Sequence, residues 1–347
     1  MKIASILGAR PQFIKAALLS NDFCTTKNVQ EIIIHTGQHF DEKMSHGFFT
    51  ELDIPVPDFQ LNINQMNHGE MTGTMMTELE KILLDEKPNG VLVYGDTNST
   101  LAGSLAAAKL KIPVFHVEAG LRSFNRSMPE EINRVVTDHL SSLLFCPTKH
   151  AIETLKKERI THGVIFSGDI MFDLFKKSQK GKDIFKKPQV LATIHRPSNT
   201  DDPSTLASII EGLARIHKEK QVVLPVHPRT EKKLKEFGIT PAVNVMPPLS
   251  YNEMVSQLLS SEIVITDSGG VQKEAFFAKT KCITVRPETE WVELIDAGVN
   301  HLCDSNADAI WDTFNLMNNK QCDFTPQLYG DGNSAKIIVD EIQKYLS

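Results

Sequence analysis

Ile263-Val264-Ile265-Thr266-Asp267-Ser268-Gly269-Gly270-Val271-Gln272-Lys273-Glu274 is the stretch that decides how this chain folds. Its consecutive β-branched residues suit a strand buried on both faces, as strands of parallel sheets are. The glycines permit a tight turn into a helix. The first amides of that helix, with the Ser268 hydroxyl, would face an anion without steric obstruction. Glu274 falls about one turn further on, where a carboxylate can accept from both hydroxyls of a ribose. The segment therefore predicts a strand–turn–helix unit holding a nucleotide diphosphate through Ser268, Gly269, Gly270 and Glu274.

The same pattern recurs outward in both directions. Upstream in the second half, strands are predicted at Val190–Ile194, Val222–Pro225 and Val243–Met246, and downstream at Cys282–Val285. The first half offers Ile3–Leu7, Ile32–His35, Val91–Tyr94, Val114–Val117, Leu143–Cys146 and Val164–Phe166. Helical stretches separate these runs, and that alternation predicts parallel sheets in βαβ order. A length of 347 residues leaves room for two such units, each with its own core. The polar, basic segment Lys176–Lys182 carries no strand signal and reads as a solvated helix end and linker. The expected domains are thus residues 1–170 and 171–332. A helix over 333–347 follows, with helical spacing in Ile337, Ile338, Ile342 and Leu346.

Composition narrows the function classes. Hydrophobic residues make up 41% and charged residues 23%, which is ordinary globular composition. A net charge of −6 argues against a general nucleic-acid binder, which needs a basic surface. The apolar runs are too short to span a bilayer, and Met1 runs straight into a strand, so the expected location is the cytoplasm with no membrane partner. Cys24, Cys146, Cys282, Cys303 and Cys322 are scattered and form no C-x-x-C pair, which implies reduced thiols, mostly in cores, and neither a disulfide framework nor a zinc site.

Open parallel sheets bind ligands beyond the carboxyl ends of their strands, and those positions carry the chemistry here. Ile3–Leu7 ends in Gly8-Ala9-Arg10-Pro11-Gln12-Phe13-Ile14-Lys15, where Arg10 and a helix N-terminus could receive a phosphate. Neither G-x-G-x-x-G nor G-x-x-x-x-G-K-[ST] is present, which removes the main sequence support for a nicotinamide cofactor or a P-loop. His35 and His39 straddle a strand end and a loop, an arrangement that disfavours a metal and favours loop hydrogen bonding by Gln38 and His39. Val91–Tyr94 leads to Asp96, Val114–Val117 leads to Glu118, and Glu130 and Arg134 follow in Pro129–Arg134. Each carboxylate alone also suits a helix cap; three near one sheet edge suit proton transfer better. In the second half, His195 follows Val190–Ile194 and His227 follows Val222–Pro225.

Together these segments resemble the non-hydrolysing UDP-N-acetylglucosamine 2-epimerase family over essentially the whole chain. The matching motifs are Gly8–Lys15, Thr36–His39, Gly95–Thr97, Val117–Arg122, Pro129–Arg134, His195–Arg196, Asp267–Glu274 and Tyr329–Gly332. The resemblance implies an α/β, GT-B-like fold, two Rossmann-type domains with a cleft between them and the terminal helix packed back on the first. It implies that Arg10, His195, Ser268, Gly269 and Gly270 contact the diphosphate and Glu274 the ribose. Asp96, Glu118 and Glu130 become the catalytic carboxylates, with His195 in the same catalytic set. Lys15, Arg134 and His227 become supporting charges. The expected partner is a UDP-activated amino sugar, with no cofactor and no metal, and the expected assembly is a homodimer.

Three departures from the family pattern stand out: Ala9 where Thr is common, Ser198 where Glu is common, and Asn67–Gly73 in place of a Pro-Gly-Gln type segment that binds a second, activating nucleotide sugar. Gly8–Lys15, the loop His68–Gly73 and Glu288–Glu293 together resemble a subgroup acting on UDP-2,3-diacetamido-2,3-dideoxy-glucuronate, a surface polysaccharide precursor. Trp291 and Ser198 are candidates for substrate tuning.

The chemistry is coherent. C2 of such a sugar has no adjacent carbonyl, so breaking the C1–O bond to UDP as the proton leaves C2 offers a route through a glycal. Two rivals share the nucleotide site: a hydrolysing epimerase that releases free sugar, and a GT-B glycosyltransferase, which needs no second acid on the opposite face.

Overall fold

A computed structural model describes residues 1–26, 28–38, 56–181 and 185–347, apart from the side chains of Arg10 and Pro11. The chain divides into two compact units, Met1–Leu174 with Gln327–Ser347, and Phe175–Pro326.

The first unit is built from β1 (Lys2–Leu7), α1 (Arg10–Thr25), β2 (Gln30–His35), β3 (Phe59–Gln60), α2 (His68–Glu86), β4 (Gly90–Tyr94) and α3 (Asn98–Lys109). It continues through β5 (Val114–Val117), α4 (Pro129–Leu140), β6 (Leu143–Cys146), α5 (Lys149–Lys157), β7 (Val164–Phe166) and the start of α6 (Ile170–Gln179). Among the described residues its sheet has seven strands in the order β3-β2-β1-β4-β5-β6-β7, all pairs parallel. Such strands must be apolar on both faces, and Gly90–Tyr94 is buried throughout.

The second unit contains β8 (Lys187–Thr193), α7 (Pro197–Thr200), α8 (Pro203–His217), β9 (Gln221–Pro225), α9 (Pro228–Phe237), β10 (Asn244–Met246) and α10 (Tyr251–Ser260). Then come β11 (Ser261–Thr266), α11 (Gly269–Phe277), β12 (Lys281–Val285), α12 (Val292–Asp296), β13 (Asn300–Cys303) and α13 (Ala307–Asn319). The sheet order is β10-β9-β8-β11-β12-β13, again parallel throughout. Leu206, Ile209, Leu213 and Ile216 of α8 pack with Ile310, Phe314 and Met317 of α13 in its core.

In both sheets the strand order reverses once, between β1 and β4 and between β8 and β11. Those reversals are the switch points where doubly wound sheets receive ligands. The expected α/β, doubly wound architecture is what the chain adopts. β8 ends at Thr193, one residue short of the apolar run, and β3 and β13 had no clear apolar signal.

The final helix, α14 (Ser334–Leu346), packs against α1 of the first unit. Ala335, Ile338, Val339 and Ile342 form its buried stripe, and Tyr345 meets Phe115 edge-on at 5.5 Å. The outgoing and returning segments of the first unit are joined directly: the Asp169 amide donates to the Tyr329 carbonyl at 3.0 Å. Asp173 in turn accepts from the Ala335 amide at 2.8 Å, at the first turn of α14. All five cysteines are free thiols; Cys146, Cys282 and Cys303 are buried and Cys24 is exposed. Among the described residues, no helix is long and apolar enough to cross a membrane, and no group of three metal-binding side chains is assembled.

Candidate functional site

At the first switch point, Gln12 ties two strand ends together. Its Oε1 accepts from the Gly8 and Ala9 amides at 2.7 and 3.1 Å, and its Nε2 donates to the Tyr94 carbonyl at 2.7 Å. Ala9, the residue before α1, has no side-chain acceptor, so no side chain caps the first amides of that helix from this position. Arg10 opens α1. Gln38 accepts from the amide and hydroxyl of Ser99 at 3.1 and 2.8 Å, the expected loop bonding. His39 lies outside the described residues. His35 packs on Phe13, and burial pushes it down to about 4, which makes it a neutral core group.

Asp96 is not the cap of α3. Thr97 takes that role, accepting from the Thr100 amide, and Asp96 is left to pair with Arg134 of α4. Asn133 donates to the Asp96 carbonyl at 2.9 Å from the same helix. Beside them Lys15 pairs with Glu118 in a close contact. Gly95 stands between the pairs at φ +61, and a Cβ there would lie 3.3 Å from Glu118 Oε2 and 3.4 Å from Lys15 Nζ. Glu118 itself holds φ +73, a region few side-chain-bearing residues visit. Asp96, Glu118, Lys15 and Arg134 thus form one cluster of two carboxylates and two cations.

Its electrostatics favour proton exchange. Burial pushes the Asp96 carboxyl above its ordinary value; Arg134 pulls it down, Glu118 pushes it up and Lys15 pulls it down again. Its side chain is still 35% exposed, so a ligand can reach it. Glu130 is exposed in the first turn of α4, one turn ahead of Arg134 and on the same helical stripe. The structure therefore brings Asp96, Glu118, Lys15 and Arg134 together and places Glu130 further along the stripe.

The second switch point is organised by Asp267, a residue the sequence reading left inside a motif without a role. It is fully buried and accepts from the His195 amide at 3.0 Å, the Arg196 amide at 2.9 Å and Asn199 Nδ2 at 3.1 Å. Nδ1 of His195 lies 3.1 Å from its other oxygen. Burial pushes this carboxyl up, but the His195 hydrogen bond and charge, with the two amides, outweigh it and hold the group below its ordinary value. That contact fixes the ring orientation of His195 and leaves its Nε2 edge for a ligand. The rings of His195 and His227 lie 5.5 Å apart, and Nδ1 of His227 caps α9 by accepting from the Arg229 amide at 3.2 Å.

Ser268 caps α11, accepting from the Val271 amide, and Gly269 and Gly270 open the helix. A Cβ on Gly269 would fall 2.5 Å from Glu290 Oε1, so any side chain there would displace that carboxylate. Glu290 is held by Arg286 at 3.1 Å. Trp291 is buried, with Lys273 Nζ 4.0 Å from its ring centroid. Glu274 is buried on α11, and Ser198 is exposed in α7.

Two doubly wound units, each with polar groups at its switch point and one with a glycine-opened helix, define an α/β protein of the GT-B-like, nucleotide-binding class. The sequence model of the family described as UDP-N-acetylglucosamine 2-epimerase matches residues 22–343. A UDP-2,3-diacetamido-2,3-dideoxy-D-glucuronate 2-epimerase of Pseudomonas aeruginosa is 49% identical, with 99% of this chain and 100% of the relative covered. The crystal structure of Methanocaldococcus jannaschii UDP-GlcNAc 2-epimerase in complex with UDP-GlcNAc and UDP matches with a TM-score of 0.88 at 40% identity, covering 99% of this chain and 100% of that one. Acinetobacter baumannii MurG, at 14% identity and a TM-score of 0.61 over 99% of both chains, shares the fold alone. This chain belongs to the UDP-N-acetylglucosamine 2-epimerase family.

Proposed function

We propose that the protein inverts C2 of a UDP-activated 2-acetamido sugar by elimination and re-addition of UDP, without a bound cofactor, in the cytoplasm. The observation that carries the reading is the cluster of Asp96, Glu118, Lys15 and Arg134 at the first switch point. A carboxylate takes the C2 proton as the C1–O bond breaks; the bond's electrons leave with UDP and a C1=C2 double bond forms. Proton delivery to the opposite face of C2, with attack of a diphosphate oxygen on C1, closes the cycle. Asp96, Glu118 and Glu130 supply the proton relays. Positioned acid–base groups of this kind typically contribute about 10²–10⁴-fold each.

The second unit is assigned the nucleotide. The amides of Gly269 and Gly270 and the N-terminal end of α11 suit a diphosphate, and Glu274 suits the ribose. His195, oriented by Asp267 and with His227 beside it, would neutralise the charge that grows on the leaving UDP, a role the family resemblance also gives Arg10 of the first unit. The P. aeruginosa relative supports a 2,3-diacetamido-glucuronate as the sugar, and the family resemblance implies its use in surface polysaccharide precursors. A homodimer, implied by the family resemblance, is tested by sedimentation of the purified chain.

The deciding experiment is NMR in D₂O with UDP-N-acetylglucosamine and the diacetamido-glucuronate analogue offered separately. Deuterium at C2 of an epimeric UDP-sugar is the expected result and identifies the substrate. Free UDP with released sugar would replace the reading by the hydrolysing rival, and two unchanged substrates would overturn it.

A further inference from the structure

We infer that Asp138 and His116 are positioning residues that hold the two carboxylate-bearing turns in place for proton transfer at C2. The inference rests on the epimerase reading above and extends it to residues that touch neither sugar nor nucleotide.

His116 of β5 is completely buried. Its Nδ1 lies 2.7 Å from Asp138 Oδ1 and its Nε2 lies 2.8 Å from the Gly95 carbonyl. A carbonyl can only accept, so Nε2 donates to it. Asp138, 1% exposed on α4, uses its second oxygen to accept from the Gly120 amide at 3.1 Å and from Arg122 Nη1 at 2.7 Å. Arg122 is anchored in turn by both oxygens of Glu158, at 2.8 and 2.7 Å.

The backbone atoms that this network grips are informative. Gly95 O immediately precedes Asp96, and Gly120 N stands two residues beyond Glu118. One buried carboxylate therefore holds both turns from behind, directly at Gly120 and through His116 at Gly95. Those turns contain the positive-φ residues Gly95, Glu118 and Gly120, conformations that persist only when their surroundings hold them. The same helix also touches the cluster itself through Arg134, which pairs with Asp96; Glu130, Arg134 and Asp138 are spaced i, i+4, i+8, one stripe of α4.

Stability alone does not explain such a network. A buried set of charges is commonly no more stabilising than apolar residues of similar volume, and α4 buries Glu131, Asn133, Arg134, Thr137 and Asp138 while leaving Ile132 exposed. Burial pushes Asp138 up, but the His116 contact and the Arg122 charge outweigh it and keep the carboxyl below its ordinary value. The helix is turned with its polar face inward because that face sets the geometry of the two turns. Misplacing a reacting group by about an ångström can cost about 10²-fold in rate.

The test compares Asp138→Asn, His116→Gln and His116→Phe with wild type in kcat, KM, UDP affinity by calorimetry and the amide NMR shifts of Gly95 and Asp96. Asp138→Asn keeps the shape, and glutamine keeps a donor for Gly95 O that phenylalanine lacks. We expect kcat to fall about 10–10²-fold in Asp138→Asn and His116→Phe, with KM and UDP affinity within about threefold of wild type and a displaced pH profile of kcat. His116→Gln should recover most of the loss, and the Gly95 and Asp96 shifts should move in the two impaired variants without any sugar present. Folded variants with wild-type kcat and unmoved amide shifts would overturn the inference while leaving the epimerase reading intact. A wild-type protein that leaves C2 unlabelled would overturn that reading and this inference with it. Should His116→Phe fail to fold, the isosteric Asp138→Asn decides alone.

Discussion

The Asp267 carboxylate stands 3.1 Å from Nδ1 of His195 and also receives the backbone amides of His195 and Arg196. It holds ring and turn at once, so Asp267→Asn should weaken UDP binding by about 10–100-fold, the scale of a lost charge-assisted hydrogen bond, as read by calorimetry. The pH dependence has a definite sign. Asp267 lies below its ordinary 3.8 in the folded chain, so its contribution to stability is present above that value and is lost as pH falls through the folded one. The gap in thermal midpoint between wild type and Asp267→Asn should therefore shrink below about pH 4.

Asp173 behaves in the opposite way. Burial raises it from 3.8 to about 6, against the Ala335 amide and the Ser334 contacts. Its contribution is greatest below 3.8 and is lost as pH climbs through about 6. Asp173→Asn should consequently gain on wild type by roughly 2–6 °C in thermal midpoint between pH 4 and pH 8. A constant difference across that range would show that the carboxyl is not perturbed.

The terminal helix should matter far more through its buried stripe than through its surface. Ile338 is completely buried, and truncation to alanine should cost about 2–5 kcal/mol in denaturant unfolding of the first unit. Lys336, exposed on the same helix, should tolerate alanine within about 0.5 kcal/mol.

Thiol chemistry should single out one cysteine. Burial pushes Cys282 and Cys303 up to about 12 and Cys146 higher still, whereas Cys24 is exposed. An aromatic disulfide reagent should therefore modify Cys24 first in the native protein, the half-buried Cys322 more slowly, and the three buried thiols only on unfolding. Cys24→Ser should abolish the fast phase.

The parallel sheets were legible because central strands such as Val91–Tyr94 and Ile263–Thr266 must be apolar on both faces. Edge strands escape that requirement. Among the described residues Phe59–Gln60 pairs only with β2, and Asn300–Cys303 spends Asn300 on hydrogen bonds to Thr284 and Gln272. Charged residues just past strand ends pointed to Asp96 and Glu118, since topology alone puts them at the ligand edge. The supporting network was harder to see. α4 inverts the usual rule, so a search for apolar periodicity passes over it, while the four-residue spacing of Glu130, Arg134 and Asp138 would have exposed its polar stripe. Asp267 and Gln12 owe their roles to backbone amides that come together only in the folded chain.

The bond between the Asp169 amide and the Tyr329 carbonyl closes the first unit at the point where its chain leaves and returns. The first unit sends the chain out and takes it back at adjoining points, so residues 175–326 form a detour inserted into an otherwise continuous fold. A gene in which a short glycine–serine bridge joins Leu174 to Gln327 would still encode all seven strands of the first sheet and the closing helix. Such a half-protein would let the carboxylate cluster be titrated with residues 175–326 absent.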